Sequence, residues 1–261
     1  MKWALPRLTD SDPVRHDPNF EPLAASLGTQ YRMEFPQVER LVPASLGHIG
    51  LSYQPIIQYR SGDADFPRLQ LGPGIFTVNQ SGGDYEFEEF KALVSTHLAT
   101  LRKVAQLNDE RVIKPAQFGF ALLNRFELSA WDAHHGAGGK RTKASEFLEE
   151  VLGVKVDTPY RELSGTRIFR QALSHTFDLE GDTGRLTLTA RDASESPEAQ
   201  IVTFDQVVTT PESAKRLTLD TDEVSAWLER AHGYTKRVFL NLRTQNKSLN
   251  QYLLTPRTPS P

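Results

Sequence analysis

The sequence predicts an α+β protein in which antiparallel sheets are covered on one side by long helices. Short segments of alternating apolar residues, separated by glycine and proline, indicate antiparallel strands. Two longer segments repeat apolar residues at helical spacing. One order of elements also occurs twice: a strand, a helix, three strands and a long helix. We therefore expect two β-α-β-β-β-α halves, at 1–110 and 111–254, that form one compact unit, and true symmetry would allow a pseudo-twofold saddle.

The composition is that of an ordinary globular protein. The 261 residues are 38% hydrophobic and 24% charged, with a net charge of −3 and no cysteine. The lack of cysteine excludes disulfides, thiolate nucleophiles and cysteine-ligated metals within this sequence. The net charge gives no global attraction to nucleic acid or to an anionic membrane. Because residues 1–13 have no apolar signal core and no apolar stretch is long enough to span a bilayer, we expect a soluble, cytoplasmic protein of bacterial type that does not associate with membranes.

In the first half, apolar spacing and turn residues define the elements. Residues 20–35 are predicted to be helical because apolar residues recur at every fourth position from Leu23 to Tyr31, and Pro36 should end the helix. Pro55 breaks the alternation of the first of three meander strands, so a bulge or an edge position is expected there. The remaining predictions are a short strand at 3–8, meander strands at 48–60, 67–71 and 75–80, and a long helix at 85–106.

In the second half, residues 117–128 are predicted to form a strand with alternating apolar residues. A short helix is expected at 145–152 with Ser145 as its N-cap. Asp220 and Glu223 resemble a capping box at the start of the last helix. The remaining predictions are strands at 166–179, 184–191 and 199–208, a helix at 222–244 and a disordered proline-rich tail at 255–261.

The apolar stripes of the two long helices predict much of the core. Residues on one face of an amphipathic helix are expected to be buried against a sheet. These core residues are Tyr85, Phe90, Leu93, Leu98, Trp227, Leu228, Val238 and Phe239.

A loop rich in glycine and basic residues is predicted at 131–143, and its GAGGK segment suggests phosphate binding. The phosphate-loop motif would require glycine where the sequence has His134 and a hydroxyl side chain where it has Arg141. Asp132, His134 and His135 carry metal-binding groups, but spacing places no further ligand beside them. We therefore expect no cofactor and no metal. The loop is expected to be mobile between Gly136 and Lys143.

Basic residues also suggest a surface for an anionic partner. The last helix combines bases with nearby aromatic residues, which suits a nucleic-acid backbone, although cations near a helix C-terminus are favoured by the helix dipole in any case. The candidate partner-binding residues are Lys140, Arg141, Lys143, Arg230, Lys236, Arg237 and Arg243.

Three polar residues in otherwise apolar segments are candidates for structural roles. Asn124 and Arg125 lie in the strand at 117–128, and His232 lies in the last helix. Arg125 is expected to pair with Glu127, which is two residues further on the same face of the strand. His232 is expected to form a hydrogen bond with a backbone carbonyl or a strand side chain.

Three segments resemble a sporadically distributed family of uncharacterised bacterial proteins. They are LQLGPGIFTVNQ at 69–80 followed by Tyr85 and FEEF at 87–90, QFGFALLNRFEL at 117–128, and AWLERAHGYTKRVF at 226–239. The sequence departs from the family at Gln80, where tryptophan is expected, and it lacks the Pro-Pro opening. The scattered distribution of such genes is associated with defence and toxin–antitoxin systems.

These observations favour a non-enzymatic binding protein. The resemblance implies a partner, inhibitor or accessory component of a bacterial defence or toxin–antitoxin system, bound to another protein encoded nearby. Two alternatives stay open. One is a nucleic-acid-binding protein that uses the uncovered sheet face or the basic last helix. The other is a small-ligand sensor or an enzyme with a pocket between the sheet and the helices.

Overall fold

The α+β class is confirmed in a computed structural model of the chain. The structure describes residues 1–9, 14–43, 45–62, 66–81, 85–107, 113–135, 142–153, 172–180, 183–193, 200–211 and 218–254. These residues contain six helices and ten strands, arranged in two antiparallel sheets. The predicted tail at 255–261 and the loop residues 136–141 lie outside the described residues.

The chain divides into two compact units. The first comprises Met1–Gly119 and Thr210–Arg230, and the second comprises Phe120–Thr209 and Ala231–Pro261. The long helix α5 (Thr221–Gln245) therefore contributes residues to both. No helix within the described ranges is both long enough and apolar enough to cross a membrane.

The first unit is built on a sheet with the strand order β2-β3-β4-β5-β1-β6. Strands β3, β4 and β5 form the predicted meander, and β1 adds to β5. The strands are β1 (Lys2–Trp3), β2 (Gln37–Arg40), β3 (Ile57–Arg60), β4 (Arg68–Gly72), β5 (Ile75–Asn79) and β6 (Pro115–Gln117), and the helices are α1 (Phe20–Tyr31) and α2 (Phe87–Leu107).

One face of this sheet carries the core. Tyr59, Leu69 and Phe76 are each at most 1% exposed. The strand register places them on one face, because Tyr59 pairs with Leu69 and Phe76 pairs with Leu71, two residues along β4 from Leu69. Helices α1 and α2 contact β3 and β5 and contact each other. The Tyr59 hydroxyl donates a hydrogen bond to the carbonyl of Ala24 in α1 at 3.1 Å. The opposite face of the sheet is left to polar side chains.

The predicted strand at 48–60 is wrong in its first part. The strand begins only at Ile57, and the residues before it turn twice, with positive φ angles at Gly50 and Tyr53. The segment passes so close to β4 that a Cβ atom at Gly72 would lie 1.8 Å from the carbonyl oxygen of Gln54. The alternation of apolar residues therefore belongs to a loop, in which Tyr53 lies beside Gly74 while Ile49 is 57% exposed. Strand β2, in contrast, was not predicted.

The second unit contains a four-stranded sheet with the order β7-β10-β9-β8. Its strands are β7 (Gly119–Glu127), β8 (Ala172–Asp178), β9 (Arg185–Asp192) and β10 (Ile201–Thr209), and its remaining helices are α3 (Leu128–His135), α4 (Ala144–Glu150) and α6 (Lys247–Leu254). Phe126, Phe147, Val202 and Leu249 are among the residues of its buried core.

The two sheets share a strand order. In each sheet the last strand of a three-strand meander pairs with a strand that comes earlier in the chain. The spatial order is β3-β4-β5-β1 in one sheet and β8-β9-β10-β7 in the other. The first sheet has two further strands, β2 and β6. The sheets thus share this strand order, whereas the described elements follow the chain differently, with four strands between α1 and α2 and three between α4 and α5. A duplication with pseudo-twofold symmetry stays a prediction.

Two local predictions for the second half are wrong. Residues 128–135 form helix α3, although 131–143 was predicted to be a loop, because Leu128 and Trp131 are three residues apart and pack as one buried helical face. Helix α4 begins at Ala144, so Ser145 lies inside the helix and is not its N-cap. The capping box of Asp220 and Glu223 is confirmed in part: Asp220 Oδ1 accepts hydrogen bonds from the backbone N–H groups of Asp222 and Glu223 at 3.0 and 3.1 Å, but the Asp220 N–H donates to the Thr218 hydroxyl and not to Glu223.

The core prediction for the long helices is confirmed in part. Leu98, Trp227 and Leu228 are between 3% and 5% exposed. The other five predicted residues are half-buried: Tyr85, Phe90, Leu93, Val238 and Phe239. In α2 the fully buried stripe is shifted toward the C-terminal half, where Leu101 and Val104 are not exposed. The periodicity therefore identified the correct helices but placed their most buried residues imperfectly.

Candidate functional site

The polar face of the first sheet carries a row of side chains that runs across four adjacent strands. The strand register places Glu39 of β2 beside Gln58 of β3, Gln58 beside Gln70 of β4, and Gln70 beside Thr77 of β5. Asn79 lies two residues further along β5 on the same face. We call these five residues the amide row. Sequence reasoning missed it, because only the strand register brings its members together.

Hydrogen bonds connect the amide row from β5 to β2. Gln70 Nε2 donates to Gln58 Oε1 at 2.8 Å, and Gln58 Nε2 donates to Glu39 Oε2 at 3.4 Å. Gln70 Oε1 accepts from Thr77 Oγ1 at 3.2 Å and from Asn79 Nδ2 at 3.3 Å. Each bond fixes which end of the next amide is the acceptor, so the side chains are held in one orientation. The row is therefore preorganised.

Cations and aromatic rings flank the amide row. At one end, Arg60 and Arg68 are register partners, Arg60 Nη2 lies 3.4 Å from Glu39 Oε2, and the Arg68 guanidinium lies 4.6 Å from the ring centroid of Phe66. At the other end, Lys2 Nζ lies 5.5 Å from the ring centroid of Tyr53. The Nε of Arg60 is buried without an acceptor among the described residues. Such a face offers hydrogen-bond donors, positive charge and ring surfaces together.

A second candidate surface is the exposed side of α5 in the second unit. Lys236 and Arg237 are exposed, and Leu240, one helical turn further, is 44% exposed. The Arg237 guanidinium lies 4.4 Å from the ring centroid of Tyr234, and its Nε donates to the carbonyl of Gly233. We call Lys236, Arg237 and Leu240 the α5 patch.

The segment of the sequence that contains the α5 patch has basic side chains but no acidic ones. Glu229 is the last acidic residue of the sequence, and the residues after it include six lysines and arginines. The chain up to Glu229 carries the remaining 24 bases and all 33 acids. The overall charge of −3 therefore conceals a C-terminal segment that is purely basic. This segregation gives the α5 patch a positive field that its own segment does not neutralise.

The other predicted partner-binding residues lie elsewhere. Arg243 Nε and Nη2 both donate to Asn250 Oδ1, at 3.0 and 2.8 Å, so this guanidinium joins α5 to α6. Arg230 is exposed on the part of α5 that belongs to the first unit, and Lys143 is exposed immediately before α4. Lys140 and Arg141 lie outside the described residues.

The predicted loop residues with metal-binding groups have structural contacts. Asp132 accepts hydrogen bonds from the backbone N–H and the hydroxyl of Thr142. The ring of His135 lies 4.1 Å from that of Trp131, and its Nδ1 lies 2.9 Å from the Trp131 carbonyl oxygen. No group of three or more potential metal ligands occurs in the part of the chain that the structure describes. Asp132 therefore joins α3 to the segment before α4, whereas the His135 contacts lie within α3.

The three predicted structural residues occupy different environments. Asn124 Nδ2 donates to the Phe204 carbonyl at 3.2 Å, which links β7 to β10. Arg125 forms the expected ion pair with Glu127 at 3.6 Å, but its side chain is 62% exposed because it lies on the face of β7 away from the core. The His232 ring lies edge-to-face on Phe120, with centroids 6.2 Å apart. Arg125 is therefore not part of a buried ion pair.

A buried histidine was also missed by sequence reasoning. The side chain of His97 in α2 is 1% exposed, and neither ring nitrogen has a hydrogen-bond partner within the described residues. The rings of Tyr31 and Phe35 lie edge-on at 5.4 and 5.3 Å. Burial lowers the pKa of His97 to about 4. Although Glu34 Oε1 lies 4.0 Å from Nε2, that carboxylate is 58% exposed and hydrated, so His97 is neutral near pH 7.

A cavity of about 230 Å³ in the first unit lies beside a buried carboxylate. Asp17 is 3% exposed and accepts hydrogen bonds from Trp3 Nε1 and from the backbone N–H groups of Asn19 and Gly74, each at 3.1 Å. These three donors stabilise the carboxylate and join the 14–19 segment to β1 and β5. Asp17 therefore has a clear structural role at the edge of this cavity.

Comparisons with known proteins add no relative, because no family model, no curated protein and no solved structure matches this chain.

Proposed function

We propose that this protein is a non-enzymatic binding protein whose α5 patch contacts an acidic protein partner. The observation that carries the proposal is the concentration of exposed bases in a segment without acids, after Glu229. Lys236 and Arg237 supply positive charge. Leu240, one turn further along α5, supplies an exposed apolar contact. Interfaces commonly combine an apolar centre with a charged rim.

A protein partner suits the α5 patch better than nucleic acid does. Proteins that bind DNA through its backbone commonly make about 6–10 phosphate contacts. The α5 patch has two exposed cations, and Arg243 is engaged by Asn250. The exposed Leu240 would face solvent or phosphate in a nucleic-acid complex, whereas a protein surface can cover it.

The partner we propose is another protein encoded nearby. This part of the proposal is supported by the resemblance of three segments to a family whose distribution is associated with defence and toxin–antitoxin systems. In such a system the protein would act as the partner, inhibitor or accessory of an acidic component. Opposite charge would accelerate their encounter and fix the register of the complex.

The experiment measures binding of the purified protein to each purified product of the neighbouring genes. The test variant is Lys236→Glu/Arg237→Glu, and the matched control is Arg102→Glu/Lys103→Glu, which reverses two adjacent exposed cations on α2. We expect the affinity to fall at least tenfold in the test variant, because reversed charges repel an acidic surface, and to change less than threefold in the control.

Two results would contradict the proposal. One is the absence of binding to every neighbouring product at micromolar concentration. The other is binding that both charge-reversed variants weaken equally, since this would indicate a general effect of net charge. Raising the salt concentration should weaken the wild-type complex and leave the residual affinity of the test variant nearly unchanged.

A further inference from the structure

We propose that the cavity beside Asp17 in the first unit binds a small apolar amino acid. The cavity has a volume of about 230 Å³, and its lining residues include Trp3, Leu5, Pro6, Asp17, Pro18 and Lys114. All of them belong to the first unit, and none belongs to the α5 patch. This site therefore stands or falls independently of the proposed function.

Asp17 supplies a buried negative charge that is not matched by a cation. The residue is 3% exposed, and its three hydrogen-bond donors are the neutral N–H groups of Trp3, Asn19 and Gly74. Within the described ranges, no basic side chain forms an ion pair with it. Because buried charges in proteins are usually paired, a ligand ammonium group would complete this arrangement.

One lone-pair site of the carboxylate remains for a ligand. An ionised carboxylate has about four such sites, shared between its two oxygens. Trp3 Nε1 and the Gly74 N–H donate to Oδ2, whereas the Asn19 N–H donates to Oδ1, each at 3.1 Å. Oδ1 can therefore accept one more hydrogen bond, and an ammonium donor would make that bond a charge-assisted one.

The carboxylate is held in place before a ligand arrives. Gly74 lies in the turn between β4 and β5 with a φ of +77°, and a Cβ atom there would lie 2.7 Å from the Tyr53 ring and 2.9 Å from the Leu5 side chain. Glycine fits this turn, and its N–H reaches Asp17. Trp3, which is 1% exposed, is fixed on the same carboxylate oxygen. A ligand would therefore lose little free energy in ordering the site.

The charges of the lining favour a zwitterion. Of the described lining residues, Asp17 and Lys114 are charged; Asp17 is buried, whereas Lys114 is exposed. A simple cation would be attracted by Asp17 but repelled by Lys114, and a simple anion would be repelled by Asp17. An amino acid can direct its ammonium group toward Asp17 and its carboxylate toward Lys114. Such complementarity selects among ligands of similar size.

The size and the walls of the cavity limit the ligand further. Sites for drug-sized molecules commonly have volumes of about 300–1,000 Å³, so a cavity of about 230 Å³ suits a smaller molecule. Trp3, Leu5, Pro6 and Pro18 supply apolar wall surface. Such walls favour a ligand with an aliphatic side chain. L-alanine, L-valine and L-leucine represent this class.

Nuclear magnetic resonance of the ¹⁵N-labelled protein provides the test. The sequence has three tryptophans, and the variants Trp131→Phe and Trp227→Phe assign the indole N–H signal of Trp3 by elimination. Because Trp3 Nε1 donates to Asp17, its signal should move and saturate as L-valine is added, while the other two indole signals stay in place. Isobutylamine, which lacks the carboxylate, should bind about two- to fivefold more weakly. Isovalerate, which lacks the amine, should cause no shift.

Two variants and a matched control locate the binding groups. Asp17→Asn keeps an acceptor oxygen but removes the charge, and it should weaken L-valine binding by roughly 10- to 100-fold. Lys114→Gln should remove the preference for L-valine over isobutylamine. The control Lys103→Gln neutralises an exposed cation on α2 and should change neither affinity. Thermal melting verifies that each variant is folded, and Lys114→Gln, at an exposed position, decides the test if Asp17→Asn does not fold.

Four outcomes would overturn the proposal. One is no shift of the Trp3 signal with any of the three amino acids at about 10 mM. The others are equal binding of L-valine and isobutylamine by the wild type, undiminished L-valine binding by folded Asp17→Asn, and shifts of equal size at all three indole signals. Equal binding would identify a site for simple amines, and equal shifts would indicate a general solvent effect.

Discussion

The buried histidine in α2 makes a specific prediction about acid stability. His97 has a pKa of about 4 in the folded protein, because burial disfavours the imidazolium, and an ordinary histidine has a pKa near 6.5 when unfolded. Between these values the unfolded chain binds a proton that the folded chain does not. Stability contributed by the neutral ring is therefore fully present above about pH 6.5 and is lost as the pH falls toward 4.

The magnitude follows from the separation of the two pKa values. One pKa unit corresponds to about 1.4 kcal/mol, so lowering the pH from 7.5 to 5 should reduce the free energy of unfolding by up to about 2 kcal/mol through His97 alone. The variant His97→Phe keeps a ring between Tyr31 and Phe35 and removes both nitrogens that lack partners. His97→Phe should therefore not show the part of the decrease in the free energy of unfolding that comes from protonation of His97.

Urea unfolding at pH 7.5 and pH 5.0 provides the measurement. The difference between the two free energies should be smaller in His97→Phe than in the wild type by up to about 2 kcal/mol. The matched control is His175→Phe, which replaces an exposed histidine on β8 and retains the His97 contribution. If His97→Phe loses as much stability on acidification as the wild type does, the imidazole is protonated in the folded state and the reasoning fails.

Three further predictions concern stability and are tested by the same unfolding measurements. Trp227→Ala should cost about 3–5 kcal/mol, because the ring is 5% exposed and packs on Phe118; a loss below 1 kcal/mol would show that α5 is phased differently. Asp17→Ala should destabilise the protein more than Asp17→Asn does, since alanine leaves the buried N–H donors of Trp3 and Gly74 and the partly buried one of Asn19 without an acceptor, at about 1–3 kcal/mol for each buried donor; equal effects would contradict the role of the carboxylate. Arg125→Ala should change stability by less than about 1 kcal/mol, because its pair with Glu127 is exposed, and a larger loss would indicate a contact beyond that ion pair.

Elements with a strong local pattern could be predicted from the sequence. The helices α2 and α5 begin and end within two residues of their predicted limits, because acids at the start and regular apolar spacing act within each segment. Strand β2 could not be predicted, since its four residues are paired with β3 and have no buried face of their own. The loop before β3 was predicted as a strand because its apolar residues alternate, although Gly50 and Tyr53 have positive φ angles and Ile49 is 57% exposed.

The two candidate surfaces also differ in how far apart their residues are in the sequence. The bases of the α5 patch were found because they are close in sequence and exposed on one helix. The amide row was missed because Glu39 and Asn79 are forty residues apart and become neighbours of the same network only through strand pairing. A signal was present in the polar residues that alternate with apolar ones in β3, β4 and β5. It indicates a polar face, however, and not which residues are adjacent on it.

The position of β1 has a consequence for synthesis on the ribosome. Lys2 pairs with Ile75 on one side and with Gln117 on the other, so this strand leaves the ribosome long before either of its neighbours exists. At about 5–20 residues per second, the delay until Ile75 is made is roughly 4–15 s. During that interval Trp3, which is 1% exposed in the finished protein, has no sheet to cover it. The nascent chain therefore exposes Trp3 for several seconds, and a chaperone acting at the ribosomal exit would have that interval in which to bind it.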